Sequence, residues 1–172
     1  MNSEKNVLFI IPPKDFREEE FFTPKAMLEN AGMTVKVASS TGGECYGTDG
    51  KIAIADSNFS EVNTVDFDAA VLIGGAGVEA FFTDDDLYKL IGEFSSDAKI
   101  IGAICWAPVI LANAGLLNGK KATVWEGAKN DIISKGAIYT GELATVDGKI
   151  VTANGPQASE EFALKLIEVL EG

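Results

Sequence analysis

Apolar residues along this chain fall into two kinds of run. Blocks at 6–11, 68–73 and 100–104 are strand-length and apolar at nearly every position, the pattern of strands buried on both faces of a parallel sheet. Between and after them lie longer segments with helical spacing. Pro12-Pro13 stops the first strand. Asp15 with Glu18 three residues on marks a helix start of the capping-box kind, with the pattern reaching Gly32. Pro24 falls inside that helix, where its ring clashes with the carbonyl of Glu20 and predicts a local distortion there. Of Glu18, Glu19 and Glu20, two are expected to be solvated acids favoured by the helix dipole.

The rest of the chain continues the alternation. A strand is expected at 34–38, a glycine-rich loop at 41–50 holding Cys45 inert at or near the surface, and a half-exposed strand at 51–55. The strand at 68–73 runs into Gly74-Gly75-Ala76-Gly77, and a helix follows at 83–94 with Thr83 as its cap. Cys105 comes directly after the strand at 100–104, and a helical pattern then ends at Gly115. Next come a strand at 121–125, a short helix at 127–135 and an extended piece at 137–139. Residues 143–146 pair with 149–153 across Asp147-Gly148. Gly155-Pro156 opens a last helix at 159–170, with Phe162, Leu166, Val169 and Leu170 on one face. Such alternation predicts an α/β three-layer sandwich, a mainly parallel sheet with helices on both faces and a small β-hairpin, as one domain over 1–172.

Composition narrows the chemistry. The chain has 172 residues, 47% of them hydrophobic and 23% charged, with a net charge of −12 and no histidine. That excludes a basic nucleic-acid stripe, disfavours anionic membrane as a partner, and rules out any triad or metal site built on this chain's own histidines. Two cysteines, at 45 and 105, make a poor disulfide framework. The first six residues lead into an apolar run too short for a signal or membrane helix, so a cytoplasmic location is expected. No metal or cofactor site is expected either.

Position singles out Cys105. A nucleophile at a strand-to-helix turn sits on a sharp elbow at the carboxyl end of the sheet, facing first-turn amides that favour a thiolate and an oxyanion. The competing reading is a buried, inert cysteine. From Gly75 the spacing G-x-G-x-x-A approaches a dinucleotide fingerprint, but it is not in the first strand–helix unit and no acidic residue closes the next strand. These glycines are better explained by close backbone approach beside the sheet. Glu20, Gly75 and Cys105 all fall at the sheet edge where such folds bind ligands.

Several stretches together carry a resemblance: Glu20 four residues before Pro24, Leu72-Ile-Gly-Gly75, Ala103-Ile-Cys-Trp-Ala-Pro108, Ala114-Gly-Leu-Leu117, Lys121-Ala-Thr123 and Thr152-Ala-Asn-Gly-Pro156. In order and spacing the chain resembles the ThiJ/PfpI superfamily, whose flavodoxin-like fold is related to class I glutamine amidotransferases. The resemblance implies Cys105 as nucleophile, Glu20 as its hydrogen-bonded partner, and the amides of Gly75 and Trp106 as oxyanion donors. Gly74, Trp125 and Asn154 would line the pocket, and a homodimer or higher homo-oligomer is expected. The chain also departs from the family. Trp106 stands where peptidase-like members carry histidine, Trp125 where another member has a histidine near the pocket, and Asn154 where many have arginine. A Cys–His peptidase mechanism therefore lacks its base.

The resulting expectation is a cofactor-free thiol enzyme acting on small reactive carbonyls such as methylglyoxal, in the manner of a glyoxalase III or deglycase. The alternative is a non-enzymatic redox-sensing or chaperone-like protein in which Cys105 oxidises. A cysteine peptidase comes third.

Overall fold

The computed structural model describes residues 4–172; positions 1–3 of the leading segment lie outside them. Seven strands form the central sheet, in the order β11-β12-β8-β7-β1-β3-β6. They are β1 (Asn6–Ile10), β3 (Thr34–Ser39), β6 (Ser57–Asn58), β7 (Ala69–Leu72), β8 (Ile100–Ile104), β11 (Ala144–Asp147) and β12 (Ile150–Ala153). All neighbours are parallel except the β11–β12 hairpin.

Consecutive apolar positions in β1, β7 and β8 are buried because alternate side chains feed two cores. Leu8, Ile10, Ala70, Leu72, Ile101 and Ala103 pack with α2 (Asp85–Ser96), α3 (Pro108–Asn113) and α4 (Lys129–Ile133). Val7, Phe9, Val71 and Ile73 pack on the other face with α1 (Glu18–Asn30) and α5 (Ser159–Glu171). This is the expected three-layer α/β sandwich, with no helix among the described residues long and apolar enough to cross a membrane.

Tertiary pairing moved several local boundaries. Residues 14–16 do not cap a helix. They form β2 (Lys14–Phe16), parallel to β4 (Gly43–Gly47), with Asp15 left-handed at φ 56°. Helix α1 then starts at Glu18 without a side-chain cap. The glycine-rich loop is in fact β4, paired antiparallel with β5 (Ile52–Ala55). Cys45 alternates inward on β4 and is fully buried, not near the surface. Asp84, not Thr83, caps α2, accepting from the Leu87 amide at 3.0 Å. The strand expected at 121–125 shortens to β9 (Lys121–Ala122), paired with β10 (Ile138–Tyr139). In the hairpin Asp147 pairs with Ile150, so the two-residue turn is Gly148-Lys149, one position later than expected, with Gly148 at φ 60°.

Candidate active site

Strand β8 delivers Cys105 to the carboxyl edge of the sheet, where the backbone turns abruptly. Cys105 is left-handed, at φ 65°, a conformation that costs a non-glycine residue of order 1 kcal/mol or more. Its neighbours hold it there. The Cys105 amide donates to Ala153 O at 2.9 Å, Trp125 donates to Cys105 O at 2.7 Å, and Ala107 donates to Ile104 O at 3.1 Å. Helix α3 begins only at Pro108 and runs six residues, so it is not the expected first-turn cradle. The amides that favour the Cys105 thiolate are those of Gly75 and Trp106.

Glu20 reaches the same place from the first turn of α1 and is fully buried. Its Oε2 accepts from the Gly74 amide at 3.0 Å. Oε1 has no hydrogen-bond partner, and the Cys105 thiol lies close enough to this carboxyl to act on its proton affinity. Burial, partly offset by Cys105 and the Gly74 amide, raises Glu20 from 4.5 to about 7. Burial, and then the Glu20 carboxyl, push the Cys105 thiol up to about 12, while the Gly75 and Trp106 amides pull it down. The two therefore titrate as a pair that gives up one proton near pH 7 and holds the other far beyond.

The glycines make this approach possible. A Cβ on Gly74 would lie 2.5 Å from Glu20 Oε2, 2.6 Å from Cys105 Cβ and 2.7 Å from Ile104 O. Gly75, at φ 111°, is crossed by β2: a Cβ there would meet Asp15 O at 2.3 Å and Arg17 N at 2.7 Å. The Arg17 amide completes the crossing by donating to Gly74 O at 3.0 Å. Close backbone contact, rather than a nucleotide, accounts for the glycine spacing.

Trp106 supplies its amide to the sulfur, and its half-buried ring packs edge-on against Phe82 and Trp125. Trp125 is half exposed beside the same turn. The Asn154 side chain accepts from Gln157 Nε2 at 3.3 Å, and its amide donates to Leu143 O at 3.0 Å. Among the described residues no group of three or more histidine, cysteine or acidic side chains could hold a metal ion. Sequence reasoning missed Glu18. It is only 4% exposed, and its Oε1 accepts from the Asp49 amide at 2.7 Å, tying α1 to the β4–β5 turn. Only Glu19 of the three glutamates is solvated. No local pattern separates Glu18 from Glu19, because the distinction is made by the distant turn.

Comparisons with known proteins converge on one family. The DJ-1/PfpI family profile matches residues 5–169. A ThiJ/PfpI domain protein from Brachyspira murdochii superposes with a TM-score of 0.95 at 34% identity, covering 99% of this chain and 98% of that one. A deglycase of Pyrococcus horikoshii is 30% identical over 96% of this chain and 99% of its own. A glutathione-independent glyoxalase of Caenorhabditis elegans is 27% identical over 100% of this chain and 92% of its own.

Proposed function

Since the chain belongs to the DJ-1/PfpI family, we propose that it is a cofactor-free enzyme in which Cys105 and Glu20 act on small reactive carbonyls, α-oxoaldehydes above all. The observation that carries this reading is the buried Glu20 carboxyl acting on a backbone-strained, largely buried Cys105 thiol that the Gly75 and Trp106 amides also reach. The names deglycase and glyoxalase borne by relatives support the same class of chemistry.

The pair with one proton is the working form. As the Cys105 sulfur adds to the aldehyde carbon, the Glu20 carboxylate takes the thiol proton. An S–C bond forms, the C=O π bond breaks, and the new oxyanion, met by the Gly75 and Trp106 amides, takes the proton from Glu20. The Glu20 carboxylate then removes the proton from C1 of the hemithioacetal to give an enediol and returns one to C2, while the C1 hydroxyl proton passes to the C2 oxygen. C1 is thereby oxidised to a thioester while C2 is reduced to a carbinol, so no external oxidant is needed. Water cleaves the thioester, releasing a 2-hydroxy acid and regenerating the thiol. Proton transfer by a positioned side chain is typically worth about 10²–10⁴ in rate.

The test is methylglyoxal with purified protein, following D- and L-lactate. Cys105→Ala should abolish lactate formation, and Glu20→Gln should lower it at least a hundredfold. Lactate formation unaffected by Cys105→Ala would end this reading. Partial exposure of Cys105 favours oxidation sensing as the second reading. Peroxide-driven conversion of Cys105 to the sulfinate, in a protein without lactate formation, would select it. Peptidase activity is set aside because this chain has no histidine to serve as base. For assembly, we propose a homo-oligomer formed through the exposed apolar face of Phe22, Ile52 and Ile54. Ile54→Lys should then lower the mass measured by light scattering.

A further inference from the structure

An aromatic wall stands beside the nucleophile, and the proton transfers above make no use of it. Trp106 follows Cys105 directly and meets Phe82 at 5.1 Å and 89°, and Trp125 at 6.3 Å and 71°. Trp125 is tied to the same turn by the hydrogen bond its backbone N–H donates to the Cys105 carbonyl. Its six-membered ring lies over Gly127, where a Cβ would come within 2.4–2.7 Å of three ring atoms. The indole is thus braced by Trp106 and by bare backbone, yet Trp125 keeps 48% of its surface in water. A fixed, wetted ring one backbone hydrogen bond from the nucleophile's turn offers flat partners both area and favourable ring geometry.

Charge sets the second limit. The groups acting on the Cys105 sulfur are Glu20 and two backbone amides, none of them cationic. Arg17 acts on Glu20, but its guanidinium is held by Glu19 at 2.9 Å. A substrate bearing carboxylate or phosphate would meet the negative charge of the Cys105–Glu20 pair without a free counter-ion.

We infer that Trp125, with Trp106 behind it, is a specificity-determining residue selecting uncharged α-oxoaldehydes that carry a flat aromatic substituent, arylglyoxals being the type. The inference rests on the small-carbonyl reading of Cys105 and Glu20. Phenylglyoxal would follow the steps given above: addition of the sulfur to C1, transfer of the C1 proton to C2, and hydrolysis of the thioester to mandelate.

The experiment compares kcat/KM for phenylglyoxal and methylglyoxal, read as mandelate and lactate. Intact protein should favour phenylglyoxal, and Trp125→Ala should lower the phenylglyoxal-to-methylglyoxal ratio about three- to tenfold, mainly through KM. Trp125→Leu should lower it similarly and Trp125→Phe should retain most of it, so a merely structural role is separated from ring recognition. Turnover of methylglyoxal with a ratio unmoved by Trp125→Ala and Trp125→Leu overturns the inference and leaves the proposed function standing. If neither aldehyde is consumed, the proposed function falls, and saturation-transfer NMR with acetophenone decides the aromatic site. Transfer seen in intact protein and lost in Trp125→Ala supports the site; no transfer in intact protein overturns it.

Discussion

Glu20 has none of its surface in water, and its folded-state pKa of about 7 stands well above the 4.5 of an ordinary carboxyl. Between those two pH values the native protein holds a proton that the unfolded chain has already lost. Stability must therefore fall as pH rises through that window. At about 1.36 kcal/mol for each pH unit, the loss amounts to about 3 kcal/mol, a large share of a net stability of roughly 5–15 kcal/mol. The contribution of Glu20 is present in full below 4.5 and gone above about 7. Glu20→Gln has no such proton to release. Urea unfolding of both proteins across this range should show wild-type stability, relative to Glu20→Gln, falling by about 3 kcal/mol and then levelling off. Taking the difference cancels other titrating groups, and the second proton of the pair, held to about 12, lies outside the window. The amide's own packing and hydrogen-bond changes shift the difference curve vertically but leave its slope alone. A flat difference, or one rising with pH, refutes the assignment of Glu20 as a buried proton holder.

Gly74→Ala should destabilise the fold by about 1–3 kcal/mol and cut lactate formation, because its Cβ meets the backbone of Ile104 as well as both reactive side chains; thermal melts and the methylglyoxal assay check this. Glu18→Ala should cost about 0.5–1.5 kcal/mol by removing the hydrogen bond from the Asp49 amide that ties α1 to the β4–β5 turn, whereas Glu19→Ala should stay within about 0.5 kcal/mol; equal effects in urea titrations would show that Glu18 is no strut. Iodoacetamide should modify Cys105 in the folded protein, at a rate rising through pH 7 as the pair loses its first proton. Cys45, fully buried and raised by that burial, should react only after unfolding; peptide mass mapping separates the two sites.

Much of the architecture was written in hydrophobic periodicity. Consecutive apolar runs at 6–11, 68–73 and 100–104 demanded burial on two faces, and only a parallel sheet between helical layers supplies it. Cys105 was legible as an elbow because its strand ends one residue earlier. The resemblance pointed to Glu20, and the fold buries that carboxyl beside Cys105 and Gly74. Tertiary structure decided what depends on partners distant in the chain. The Asp49 turn buries Glu18 and leaves Glu19 wet. Pairing with β4 extends residues 14–16, which by themselves signal a helix cap. The pairing of Asp147 with Ile150 moves the hairpin turn by one residue. Charge behaviour was settled last of all: neither the thiol nor the carboxyl has an unusual affinity for its proton until burial brings them together, because desolvation and mutual repulsion exist only in the assembled site.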